Sequence, residues 1–487
     1  MPVKAHPPLS PRLIGYDPYV DLPSDHIARF VDTLVDEHVA QAFKPGRGHP
    51  AYDRRMLLKV LLYSYATAVR SSRRMEQNCS ESLPYLLLTR GDRPSYRTLC
   101  TARVEMAQEL EDLWIGIHRT AASCGMKHVG KIAVDSMKVR ADVSSESVVA
   151  KKDYSQIREG FRKILAEAAE VDAREDEEGE SVKTQTGVEV GRLREVMRLL
   201  RKKDAPERTP RPSPSLAEKL RGALKTLEEA ESLGLSHVSL TDPEARMMPI
   251  GSSKRVAMGH RLEAASDNGL LVVGQAHPEC SDNARLEEIV GTARQSDPVQ
   301  ITQVLADSGF YSGGSVATLI KDGLDVVVPD STTANHMRFQ FLEEQTVQFT
   351  KVEGKNAYRC PQGKLLKRDG RVRHGGQRFT QYVAESSCLD CPVAEKCLQN
   401  KGAKRRRIHV GEFDHILKPH LAKFARDDVR AAYYTRGPAI ETTFACMRVA
   451  LSFLRWSLRG IAKVRKEAKL LCLAYQLRKL HTSKTAA

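Results

Sequence analysis

Residues 260–277, HRLEAASDNGLLVVGQAH, hold two apolar runs joined by Asp267-Asn268-Gly269. An Asn-Gly pair suits the left-handed positions of a tight hairpin turn, so this stretch is expected to fold as two antiparallel strands. Three more runs have strand character: residues 132–134 leading into Asp135 (KIAVDSMKVRAD), ITQVLADSGFYS reaching Asp307, and LDVVVPD over 324–330. One strand long before the hairpin and two after it, with helical sequence between, indicate an α/β domain with a mixed five-stranded sheet flanked by helices.

The N-terminal part follows a helical period instead. Ile27, Val31, Leu34 and Val35 share one side of a helix over 24–43, with Ser24 as its expected cap. Residues 56–69 are apolar nearly all round. A third helix opens near Pro94-Ser95, and Leu99, Ala102, Met106, Leu110, Leu113 and Ile117 step along it by three and four. Residues 20–125 thus read as an all-helical basic domain behind an arm at 1–19. Residues 145–240 carry the acidic run REDEEGE and the proline-broken APERTPRPSPS, with helices expected near 153–172, 190–203 and 214–233. This is a largely helical, charged insertion.

Lys and Arg outnumber Asp and Glu by 76 to 61, a formal charge of +15. Such an excess suits a polyanionic partner, although a merely basic surface would also produce it. Its distribution favours contact surfaces: residues 44–74 hold eight basic residues against Asp53, and residues 448–480 hold nine against Glu467. No apolar run approaches the length of a membrane span. The proline-rich N-terminus lacks the apolar core of a signal peptide, so a cytoplasmic location is expected.

Asp135 and Asp307 both end apolar strands. If those strands are neighbours, the two carboxylates reach one sheet edge and can share a hard cation such as Mg²⁺. A third acid is expected from RGPAIETTFACMRVALSFLRWSLRG, residues 436–460, read as one helix from Pro438 to Gly460. Ile440, Phe444, Met447, Leu451, Leu454 and Leu458 would form its buried stripe. One notch round lie Glu441, Ala445, Arg448, Ser452, Arg455 and Arg459, a carboxylate followed by three arginines. A solvated face of mixed charge is the alternative. Asp142, Asp242 and Asp267 are left out of the metal site, Asp267 as a turn former.

Four of the ten cysteines cluster in YRCPQGKLL and YVAESSCLDCPVAEKC. Cys388 and Cys391 have a CxxC spacing that can chelate Zn²⁺, with Cys360 and Cys397 completing a candidate set and His374 or His409 as further donors. A packed knot without metal is the other reading. The following KGAKRRRIH is either a phosphate contact or a solvated loop.

VDSMKVRAD, VLADSGFYS and RGPAIETTFACMRVALSFLRWSLRG together resemble the three motif regions of bacterial insertion-sequence DDE transposases. The likeness is to the branch with a helical N-terminal domain and a cysteine-bearing segment before the catalytic glutamate, and extends over about residues 20–480, including RRMEQNCSESLPYLLLTRGDRPSYRTLCTARVE. It implies an RNase H-like catalytic domain whose DDE triad is Asp135, Asp307 and Glu441, holding two Mg²⁺ or Mn²⁺ ions. Tyr433, Arg436, Glu441 and Arg448 stand in the places of a Tyr-Arg-Glu-Lys signature. Here four residues rather than three separate Arg436 from Glu441, and arginine replaces lysine at 448. Arg436, Arg448, Arg455 and Arg459 are the expected phosphate contacts.

The layout so implied is a helical DNA-binding domain at 20–125, the first catalytic strand in 126–144 and the insertion at 145–240. The remaining strands follow in 241–335, then a cysteine-bearing insertion at 336–412 and C-terminal catalytic helices with a basic tail at 413–487. The implied function is binding of terminal inverted repeats on double-stranded DNA, metal-dependent cleavage and strand transfer into target DNA, by at least a homodimer at the bacterial nucleoid. Two rivals stand beside it: a DNA-binding regulator descended from a transposase, and an RNase H-like nuclease without strand transfer.

Overall fold

The computed structural model describes residues 17–40, 51–124, 126, 129–178, 193–201, 214–251, 255–296, 300–339, 349–374, 377–398 and 402–486. Most of the N-terminal arm, Lys44 and Arg47 of the basic stretch, and most of the proline-broken linker lie outside these residues.

β1 (Lys131–Arg140) is the spine of the central sheet. Its alternation divides two cores: Ile132 and Val134 face one side, Ala133, Met137 and Val139 the other. A ribbon of β2 (Val148–Ala150) and β3 (His237–Ser239) follows, with Val149 opposite Val238. β4 (Arg246–Ile250), β5 (Arg255–Asp267), β6 (Leu270–His277), β7 (Gln303–Leu305) and β8 (Asp325–Val327) complete the sheet. β5 runs antiparallel to β1, with Asp135 opposite Ala264, and antiparallel to β6. β7 and β8 then add in parallel beyond β1. Antiparallel strands followed by parallel ones, with helices on both faces, make this an RNase H-like α/β sheet. All five expected strands are present. A sixth, β4, pairs with β5 on the edge away from β1. The hairpin turn forms as expected, with Asn268 at φ +51° and Gly269 at φ +78°.

Seven N-terminal helices are described: Pro18–Asp21, Ile27–His38, Arg54–Ala66, Ser72–Glu81, Leu83–Thr89, Tyr96–Glu105 and Ala107–Ser123. Two expectations change. The cap of the second helix is His26, whose Nδ1 accepts from the Ala28 N–H at 3.1 Å, and not Ser24. The long helix expected from Ser95 breaks at Met106 (φ −85°, ψ +49°). Its terminal carbonyls are taken by other side chains, Val104 by Lys466 and Glu105 by Arg54 at 3.3 Å. The apolar stripe nevertheless stays buried through the break.

The C-terminal helix Ile461–Ala486 packs against Arg54–Ala66, Ala107–Ser123 and β6, so one apolar core runs from the N-terminal helices into the sheet. The insertion forms helices Tyr154–Glu178, Leu193–Arg201 and Pro214–Ser232 around a cluster containing Phe161, Met197 and Leu220. The cysteine segment is a second antiparallel sheet in simple order, β9 (Thr350–Lys351), β10 (Ala357–Arg359), β11 (Leu365–His374), β12 (Gln377–Ala384) and β13 (Arg407–Gly411). Among the described residues, no helix is long and apolar enough to cross a membrane.

Candidate active site

Parallel register aligns the first two acids. Ala133 pairs with Leu305, the last residue of β7. Asp135 lies two residues beyond Ala133, and Asp307 two beyond Leu305, so the same register continued sets them side by side. Alternation puts Asp135 on the Ala133 face, where the helix Arg436–Val449 packs against β1.

Asp135 is mostly enclosed, its side chain 19% exposed. Its Oδ1 accepts the Ser136 N–H at 2.7 Å and its Oδ2 accepts from Arg436 Nη1 at 3.1 Å. Burial pushes its carboxyl above the usual range. Arg436 and the Ser136 N–H pull it back, and nearby Asp307 adds to the rise. Asp307 starts a turn of 3₁₀ helix, Ser308–Phe310, its Oδ1 accepting the Gly309 N–H at 2.9 Å. A Cβ at Gly309 would stand 3.0 Å from Asp307 Oδ1 and 3.5 Å from Asp282 Oδ2, so a bare glycine fits where two carboxylates approach.

Glu441 comes from the first turns of Arg436–Val449, whose Ile440, Thr443, Phe444 and Met447 are buried. Its side chain is open to solvent and stands 3.5 Å from Arg436 Nη2. The Arg436 guanidinium therefore bridges the first and third acids, while the Tyr433 ring lies 6.0 Å from it. Burial raises the Tyr433 phenol; Arg436 opposes the shift and Asp307 adds to it. Arg436 thus ties Asp135 to Glu441, and Asp307 lies near Asp135 and Tyr433. Among the described residues, no three acidic, histidine or cysteine side chains already stand where they could hold an ion.

The expected arginine stripe does not exist as one helical face. The helix ends at Val449, Ser452 turns left-handed (φ +49°), and the chain runs on extended, Arg455 bridging to Arg140. Arg455 and Arg459 both pair with Asp142, at 2.7 and 2.9 Å, and donate to the Ala141 and Asp142 carbonyls. They lash this segment to the end of β1. Arg448, the last arginine on the helix, is exposed.

The acids left out have other work. Asp142 holds those two arginines. Asp242, fully buried, pairs with His260 Nε2 at 2.9 Å and accepts the Gly460 N–H at 3.2 Å. Asp267 is also fully buried: it takes the N–H groups of Val129 and Gly130, so its carboxylate braces the strand entry rather than the turn.

Sequence reasoning missed Asp282. Its Oδ1 accepts from Ser136 Oγ at 2.7 Å and from Arg261, and Arg261 also reaches Glu263, which pairs with Arg285 at 3.1 Å. This network lies beside Asp135 and Asp307. Its signal was two charges, Arg261 and Glu263, on alternate positions of a strand whose residues are buried from Met258 to Asp267. Cys360, Cys388, Cys391 and Cys397 line one small cavity. His409 is bonded to Gln381 at 3.0 Å, and His374 sits at the opposite end of β11 from Cys360. In the basic run, Arg406 donates to the Cys397 carbonyl.

Residues 359–481 match the family model described as a transposase DDE domain, and residues 17–105 match one described as a transposase domain. No curated protein matches the chain.

Proposed function

The chain belongs to the insertion-sequence DDE transposases, and from that we propose that it binds the terminal inverted repeats of its element, cuts them and joins them to target DNA. The observation that supports this reading is the parallel pairing of Ala133 with Leu305, each two residues short of Asp135 and Asp307, beside a helix whose Glu441 shares the Arg436 guanidinium with Asp135.

The residues present fit divalent cations. Three carboxylates offer hard oxygen donors, and a cationic group, Arg436, already bridges two of them. Asp135, Asp307 and Glu441 would hold two Mg²⁺ or Mn²⁺ ions, which when bound make water a competent nucleophile and stabilise the charge on the leaving 3′ oxygen. The chain's own residues prepare that reaction. The turn at Gly309 fixes Asp307, and Ser136 ties the strand beside Asp135 to Asp282. Arg436, released from the carboxylates, is long enough to reach a phosphate at the same edge, and Arg448 lies farther along the same helix. The Asp142 clamp keeps Arg455 and Arg459 on the protein, so they serve the phosphate backbone only after that clamp opens.

The N-terminal helices with their basic residues form the end-binding unit, and a homodimer brings two ends together. The protein acts at the nucleoid in the bacterial cytoplasm. Purified full-length chain, labelled element ends, a target plasmid and Mg²⁺ test all of this at once. Joined product is expected. Cutting without joining would favour a nuclease, and binding alone a regulator.

A further inference from the structure

Cys360 follows β10, Cys388 and Cys391 lie beyond β12, and Cys397 ends the short helix Ala394–Cys397, yet all four line one cavity of about 20 Å³. We propose that this cavity is a structural zinc site in which the four thiolates hold one Zn²⁺ and staple the β9–β13 sheet. The inference is independent of the transposition reading.

The sheet has little else to hold it. Among the described residues its buried apolar strand positions are Ala357, Leu366, Tyr382, Val383 and Ala384, with Cys388 beside them, a thin core for a five-stranded sheet to stand on by apolar burial alone. A metal cross-link is the usual remedy in so small a unit. The cavity is about the size of one water-sized sphere, which suits an ion with Zn–S bonds of ~2.3 Å. None of the four thiols is in a disulfide, and Cys388 and Cys397 are buried.

Backbone geometry prepares two facing turns. The Gly363 N–H donates to the Cys360 carbonyl at 2.9 Å, with Gly363 at φ +78°, and the Cys391 N–H donates to the Cys388 carbonyl at 3.3 Å. Charge is prepared as well. Four thiolates around Zn²⁺ leave a net double negative charge, and two cations line the cavity, Arg406 and Lys364. Arg406 donates to the Cys397 carbonyl at 2.6 Å, while its Nε is buried with no partner among the described residues. The sulfurs surround the cavity without yet meeting at one point, so binding draws them together.

Metal analysis of the full-length chain, purified through a tag that binds no metal, tests the site. About one zinc per chain is expected in the wild type. Cys388→Ser with Cys391→Ser should remove it, whereas Cys100→Ser, at an exposed cysteine outside the sheet, should leave it in place. If the double variant fails to fold, wild-type protein stripped with a chelator and refilled with Co²⁺ keeps the question open to test. Intense thiolate-to-cobalt absorption, lost on adding excess Zn²⁺, is the expected result. Wild-type protein without zinc, a stripped protein whose Co²⁺ spectrum lacks thiolate bands, or zinc retained by the double variant would each overturn the proposal.

Discussion

Arg436 donates to Asp135 at 3.1 Å while its other terminal nitrogen stands 3.5 Å from Glu441. One guanidinium thus links a strand acid to a helix acid 306 positions further along the chain (441 − 135). Its positive charge lies where a divalent ion would bind the same two groups.

On the proposed metal-dependent reading, that bridge would make Arg436 a competitor for the metal in the resting protein. Arg436→Ala should let Mn²⁺ bind more tightly, by several-fold, when titrated without DNA. The same variant should nick element ends at least ~10-fold more slowly, because a charge-assisted phosphate contact is lost. Calorimetry and a nicking assay read the two effects separately.

Asp307→Asn should bind inverted-repeat DNA like the wild type and fail to nick it in Mg²⁺. Normal nicking by this variant would remove Asp307 from the site.

Asp135 has its carboxyl raised in the folded chain, chiefly by burial. Its ionised form is therefore disfavoured by folding, and the cost is present at neutral pH. It disappears as pH falls, because the folded chain takes up the proton before the unfolded one does. Metal-free Asp135→Asn should melt above the wild type at neutral pH, the gap narrowing toward acid. Thermal melts in a chelating buffer at several pH values check the sign.

Asp282→Ala strips a partner from Arg261, whose side chain is fully buried, and leaves Glu263 to hold it alone. The expected loss is on the order of 2 kcal/mol, less than for a fully buried pair because Asp282 is itself partly exposed. Urea unfolding measures it.

Glu467 is fully buried and accepts from the Ser457 N–H at 2.9 Å, the Leu458 N–H at 3.0 Å and the Tyr65 hydroxyl at 3.1 Å. Glu467→Gln turns one acceptor into a donor facing donors. It should cost about 2 kcal/mol in urea unfolding.

The two strand acids were legible because an apolar run that stops at a carboxylate is conspicuous. Their alignment was not, since register depends on pairing and leaves no trace in either strand alone. The end of the Glu441 helix was misread for a related reason. Leu451, Leu454 and Leu458 continue its period, yet Leu451, Phe453 and Trp456 are the residues buried and Leu454 is 67% exposed. Beyond the break the chain is held by remote groups: Glu467 takes the Ser457 and Leu458 N–H groups, and the Arg140 carbonyl takes the Trp456 N–H. Arg455 and Arg459 were placed on that helical stripe and instead lie beyond the helix, paired with Asp142. The cysteine sheet stayed hidden since its β11–β12 hairpin is heavily charged, with a bulge between Arg368 and Gly370 that interrupts strict alternation. Asp282 carried no pattern of its own.

The helix that closes the chain, Ile461–Ala486, fills the groove between the first helices and the sheet. Without this helix, the N-terminal helices and the central sheet would both lack a wall. Prematurely stopped products would expose that unfilled apolar surface and invite proteolysis. They would be poor candidates for truncated repressors that occupy element ends without cutting them.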